Sequence, residues 1–146
     1  EISACLVGSE MCIRDRHKCD IAMAGLTINE EREEYVTFSD PYYKASQRLV
    51  TLADDTAFDD CKDAASVEEV LKGLSASDKI GGQQGTTAQY FVEGSDDWGF
   101  EGLPAEWVPY KSASLAVQDM INGNVKYVII DAAPAESITK AINAMQ

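Results

Sequence analysis

Short apolar runs and polar, helix-forming stretches take turns along most of the chain, at the spacing of alternating strands and helices. Ile21-Ala-Met-Ala24 is apolar and stops at Gly25, the pattern of a buried strand opening into a turn. Thr27 or Asn29 then offers an N-cap ahead of Glu30-Glu-Arg-Glu-Glu34, which predicts a short helix with an acidic face. Tyr35-Val-Thr-Phe38 has strand composition and ends at Ser39-Asp-Pro41, a proline-containing turn, with Tyr42 and Tyr43 after it. Arg48-Leu-Val-Thr-Leu52 reads as a further strand running into the polar Ala53-Asp-Asp-Thr56.

Beyond Ala53 the alternation becomes regular. Ser66-Val-Glu-Glu69 has the serine and glutamate spacing of a capping box and predicts a helix running to Lys72-Gly73. Lys79-Ile-Gly-Gly82 is a weak strand by propensity, supported by its neighbours. Gly85-Thr-Thr87 leads into Ala88-Gln-Tyr-Phe-Val92, a glycine turn opening a helix. Trp107-Val-Pro-Tyr110 follows as a strand that Pro109 assigns to a sheet edge. Ser112 or Ser114 caps a helix whose Leu115, Val117, Met120 and Ile121 partly follow helical spacing, and Asn122-Gly123 ends it. Lys126-Tyr-Val-Ile-Ile-Asp131 is the strongest strand, apolar at four successive positions and closed by a carboxylate, and a last helix follows Pro134. Helix, strand, helix, strand, helix, strand, helix predicts an α/β fold with a parallel sheet covered on both faces.

Composition narrows the class. The chain of 146 residues, 45% hydrophobic and 25% charged, has the make-up of a globular domain. No apolar run approaches the roughly 20 residues of a membrane-spanning helix. A formal charge of -13 opposes binding to nucleic acid or anionic lipid, and serves solubility. Cys5, Cys12, Cys19 and Cys61 show no CxxC spacing, and His17 stands beside Cys19 rather than in a ligand ladder, so no metal site is expected and the cysteines are read as free.

In open α/β sheets ligands sit at the carboxyl ends of strands, which draws attention to the loops after Ala24, Gln84 and Ile130. Those loops carry Gly25, Thr27 and Arg32, then Gly85 and Thr87, then Asp131. The set combines a guanidinium, small hydroxyl and backbone donors, and a carboxylate. An arginine grips a carboxylate bidentately and an aspartate accepts from an ammonium group, so the inventory suits a zwitterion. Taken singly, Arg32 reads as a surface arginine and Asp131 as a helix cap; joint placement at strand ends favours a site.

Asp20-Ile-Ala-Met-Ala-Gly-Leu-Thr-Ile-Asn-Glu-Glu-Arg32, with Val36-Thr-Phe-Ser-Asp-Pro-Tyr42, resembles the signature stretch of the amino-acid-specific extracellular solute-binding proteins of ABC importers, shared with ionotropic glutamate receptor ligand domains. Gly82-Gln-Gln-Gly-Thr-Thr87 is similar to that family's second-lobe loop, and Val128-Ile-Ile-Asp-Ala-Ala-Pro-Ala135 to its later ligand-contacting strand end. The resemblance covers about residues 18–146. It implies the two-lobe periplasmic-binding-protein fold, in which the lobes close on ligand like a hinge. By it, Thr27 and Arg32 hold the α-carboxylate, Thr87 and the amides around Gly85 close on it, and Asp131 with the Gly25 carbonyl takes the α-ammonium group. Tyr42 and Tyr43 either line the cleft or pack in the core beneath it. The expected partners are an amino acid and an ABC transporter permease, with no nucleic acid and no cofactor, in the periplasm or on the extracellular face.

The stretch Cys5 to Arg16 lacks helical or strand periodicity and resembles translated read-through of a sequencing-library adapter, so residues 1–16 are read as non-native. Residues 17–52 are assigned to a partial first lobe with Gln47–Leu52 as first hinge strand, residues 53–135 to the second lobe, and residues 136–146 to a helix leading toward a second hinge strand. On this reading the chain is truncated at both ends and self-associates through open sheet edges. Two other classes share the fold: a receptor or sensor ligand domain, and a dehydratase using Glu30, Glu31 or Asp131 as acid or base. No nucleophile with an adjacent base stands in the sequence, so a binding protein rather than an enzyme is expected.

Overall fold

The computed structural model describes residue 25, residues 27–34 and residues 36–145. The expected strand at 21–24, His17, the first three cysteines, Tyr35 and the 1–16 segment lie outside the described residues. Helix α1 spans Glu30–Glu33, and its N-cap is Asn29, whose side chain accepts from the Arg32 backbone N–H at 2.9 Å. Among the described residues, 36–46 belong to neither helix nor strand, so no strand forms at 36–38 and no turn at 39–41. Strand composition alone does not suffice: a strand needs a neighbour to satisfy its backbone groups, and none of the four strands among the described residues pairs with residues 36–38.

The regular part begins with β1 (Gln47–Val50), two residues shorter than expected. There follow α2 (Ala64–Lys72), β2 (Lys79–Gln83), α3 (Thr87–Glu93), β3 (Glu106–Tyr110), α4 (Ala113–Ile121), β4 (Tyr127–Asp131) and α5 (Ala132–Asn143). The strand order is β1-β4-β2-β3. β2 runs parallel to both β3 and β4, and β1 pairs antiparallel with β4. The α/β alternation after Ala53 is therefore present as expected, with one antiparallel edge strand added.

Side-chain alternation on β4 divides the core. Val128 and Ile130 pack with α4 and α5 through Ala113, Ala116, Val117, Met120 and Ala135. Tyr127 and Ile129 point to the other face and pack with Ile80, Trp107 and, from α2 and α3, Leu71, Ala88 and Val92. The sheet is thus covered on both sides, which is why β4 is apolar at four successive positions rather than at every second one.

Three boundaries differ from the sequence expectation. Ser66 is the third residue of α2 rather than its cap: Asp63 caps the helix, accepting from Ser66 N at 2.8 Å, while Ser66 Oγ accepts from Asp63 N at 3.2 Å. Ser112 caps α4, but Leu115 and Ile121 face outward, because the buried stripe of this helix is built from Ala113, Ala116, Val117 and Met120. α5 starts two residues before Pro134, in its first turn, where a missing N–H leaves no intrahelical bond unmade.

β2 is the case where packing overrides propensity. A Cβ at Gly82 would lie 2.3 Å from Trp107 Cη2 and 2.7 Å from the Ile129 carbonyl oxygen. A Cβ at Gly81, on the opposite face, would lie 2.9 Å from Tyr110 Cε2. Aromatic side chains of β3 therefore occupy the space over both glycines and let β2 sit centrally with little side chain of its own. At the strands' amino ends, Lys126 Nζ pairs with Asp78 at 3.1 Å. Asp78 is held down at about 2, first by the Ser75 backbone N–H, then by the Ser75 hydroxyl and Lys126.

Candidate functional site

The chain leaves β2 for β3 through α3 and then crosses to the far side of β2 through α4 to reach β4. Connections that depart in opposite directions open a crevice at the carboxyl ends of the two strands between them. Gln83 and Asp131 end those strands, and the antiparallel β1 brings its first residue, Gln47, opposite Asp131 at the same edge. A recess of about 260 Å³, open to solvent, lies there between Gln47, Gln83, Thr86, Ile130, Asp131 and Pro134.

Asp131 occupies the N-cap position of α5, yet its side chain makes no cap hydrogen bond. The carboxylate is therefore not spent on the helix. It accepts from Gln47 Nε2, and that same nitrogen donates to Thr87 Oγ1 at 3.1 Å. Burial pushes the Asp131 carboxyl up from the usual carboxylate range, and the Gln47 hydrogen bond acts in the opposite direction. Gly25 stands beside it: a Cβ there would lie 3.6 Å from Asp131 Oδ2, so the glycine lets backbone approach the carboxylate closely.

Arg32 is buried, at 3% exposure. Its Nη1 donates to the Thr27 carbonyl at 2.8 Å and its Nη2 to the Gly85 carbonyl at 3.1 Å. The guanidinium thus ties the loop ahead of α1 to the loop after β2. Gly85 adopts a positive φ of 75°, which turns the chain from β2 into α3. Its N–H donates to Gln89 Oε1 at 2.9 Å, and Thr86 Oγ1 donates to the Gln83 carbonyl at 2.7 Å. A carboxylate reaching the Gly85 amide has to displace the Gln89 side chain. Thr86, the N-cap of α3, makes no side-chain cap bond.

The structure thus joins the six sequence candidates in two linked groups: Gly25 with Asp131 and Thr87 around Gln47, and Thr27 with Gly85 around Arg32. Tyr42 and Tyr43 are 63% and 61% exposed, so neither packs in a core beneath the cleft. The sequence alone does not single out Gln47 and Gln83, whose places depend on strand register, nor Thr86, which lies beside Thr87 inside the Gly82–Thr87 motif. Among the described residues no group of three or more His, Cys, Asp or Glu side chains could hold a metal ion. Nor does any described helix have the length and apolarity to cross a membrane.

The α/β sheet gathers polar and charged side chains at its switch point, and comparison with known proteins supplies the family. The profile described as bacterial extracellular solute-binding proteins, family 3, matches residues 13–144, and the chain belongs to that family. The histidine-binding periplasmic protein of Escherichia coli K12 is 31% identical over 108 residues, 74% of this chain and 36% of that protein. The chain spans about a third of the length of the curated relatives it matches. Holo ArgBP from T. maritima superposes with a TM-score of 0.73 at 25% identity, covering 97% of this chain and 55% of that one. An ancestral arginine-binding protein bound to glutamine gives 0.68 at 30%, covering 91% and 52%. The ancestral amino acid-binding protein AncCDT-1, a precursor of cyclohexadienyl dehydratase, gives 0.65 at 28%, covering 82% and 47%.

Proposed function

We propose that this chain is a ligand-facing part of an extracytoplasmic protein that binds an amino acid as its zwitterion and presents it to an ABC importer. The observation that carries the reading is Asp131: a half-buried carboxylate at a strand end that caps no helix and stands against the Gly25 backbone. Such a group is a ready acceptor for an α-ammonium group. Arg32, with Thr27, Gly85 and Thr87, supplies the opposite pole for the α-carboxylate. Relatives named for binding histidine and arginine support the ligand class. A periplasmic setting and delivery to a permease are carried by the family likeness. Binding leaves the amino acid unchanged on this reading, and Glu30 lies exposed on α1.

Isothermal titration of the complete gene product against the twenty amino acids tests it. One-to-one binding of at least one L-amino acid is expected. Absence of heat with all of them overturns the reading.

A further inference from the structure

We propose that Gln47 is a positioning residue of this site, its carboxamide holding the Asp131 carboxylate and the Thr87 hydroxyl in one arrangement that presents the carboxylate to the ligand's ammonium group. The proposal rests on the amino-acid-binding reading above. Gln47 pairs across the sheet with Asp131, and residues opposed in an antiparallel pair project from the same face. Thr87 arrives from a different element, the first turn of α3. A carboxamide has two N–H donors on one nitrogen, enough to serve both partners at once. Here Nε2 donates to Thr87 Oγ1 at 3.1 Å and to Asp131 Oδ1.

Two features fit positioning better than a generic surface contact. Because the Asp131 side chain makes no bond to the end of α5, the Gln47 amide is what fixes its orientation. In addition, a carboxamide is neutral. It orients the carboxylate without cancelling its charge, so the full attraction remains for an incoming cation. Lysine at the same place would form an internal ion pair that the ligand must break.

The test uses the complete gene product, titrated with L-arginine, L-histidine and the other amino acids until one that binds is found, and then with the 2-hydroxy analogue of that amino acid, which lacks the ammonium group. Gln47→Met keeps the length of the side chain and removes both donors. It is expected to weaken amino-acid binding about tenfold, the worth of one hydrogen bond to a charged group, with a smaller loss for the hydroxy analogue and an unchanged melting temperature of the free protein. Gln47→Lys is expected to weaken amino-acid binding more than Gln47→Met does. Unchanged amino-acid affinity in Gln47→Met, equal losses for the two ligands, or wild-type affinity in Gln47→Lys overturns the role of Gln47. Wild-type protein that takes none of the twenty amino acids removes the amino-acid reading instead, and the two failures are thereby distinguishable.

Discussion

Asp131 carries opposite consequences for stability and for binding. Its folded-state pKa is raised, chiefly by burial. A raised value means that the folded protein favours the protonated carboxyl, so Asp131's contribution to stability is fully present at low pH and is lost as pH rises through the folded value. Ligand affinity runs the other way. An ammonium group needs the ionised carboxylate, so affinity falls as pH drops through that same value. Asp131→Asn is therefore expected to leave the free protein as stable as the wild type or slightly more so at neutral pH, and to weaken amino-acid binding roughly 10- to 100-fold, the scale of a charge-assisted hydrogen bond. Chemical denaturation and titration calorimetry on the same preparation check both halves; a variant that loses stability while keeping affinity contradicts the assignment. Asp131 is visible in the sequence because a carboxylate closing four apolar residues marks the end of a buried strand. Gln47 is not, since a glutamine beginning a short strand looks like any other exposed polar residue until the register with β4 is known.

At the scale of elements, local pattern and tertiary packing part company at β2. Lys79–Gly82 has poor strand propensity, yet it is central in the sheet because Trp107 and Tyr110 fill the space above its glycines. The two glycines are not equivalent. An added methyl at Gly82 meets the Trp107 ring and a fixed backbone carbonyl, whereas one at Gly81 meets the edges of the Tyr110 and Val125 side chains, which can shift. Gly82→Ala is expected to destabilise the fold by about 3 kcal/mol and Gly81→Ala by about 1 kcal/mol, the range for overpacking. Urea midpoints at constant slope measure the pair, and equal losses contradict the packing account. The helices that follow Ala53 are readable from capping residues and apolar spacing, and their order sets the α/β class. At 36–38, the described part of the strand expected at 35–38, no strand forms for the complementary reason: the composition suits a sheet, but pairing is a tertiary property that the local sequence does not contain. Leu115 and Ile121 fail as core residues because four small or flexible side chains one helix face away already fill the space against β4.

For the whole molecule, the open question of partners becomes one of edges. Among the described residues β1 and β3 border the sheet. β3 is protected by Pro109, which removes a donor from its backbone row, but β1 carries no proline and its row of N–H and C=O groups has β4 on one side only. The segments flanking it in sequence carry exposed apolar side chains, Tyr42, Tyr43 and Leu52. An unpaired edge next to apolar surface is a template for another strand. The 146-residue chain by itself is therefore expected to self-associate in a concentration-dependent way. The double variant Tyr43→Glu with Leu52→Lys is expected to shift it toward monomer, because charged side chains near an edge disfavour a second copy. Sedimentation velocity over a concentration series measures both. A monomer at every concentration overturns the edge argument, and unchanged association in the double variant moves the contact to another face, the exposed Leu115 and Ile121 of α4 being next to test.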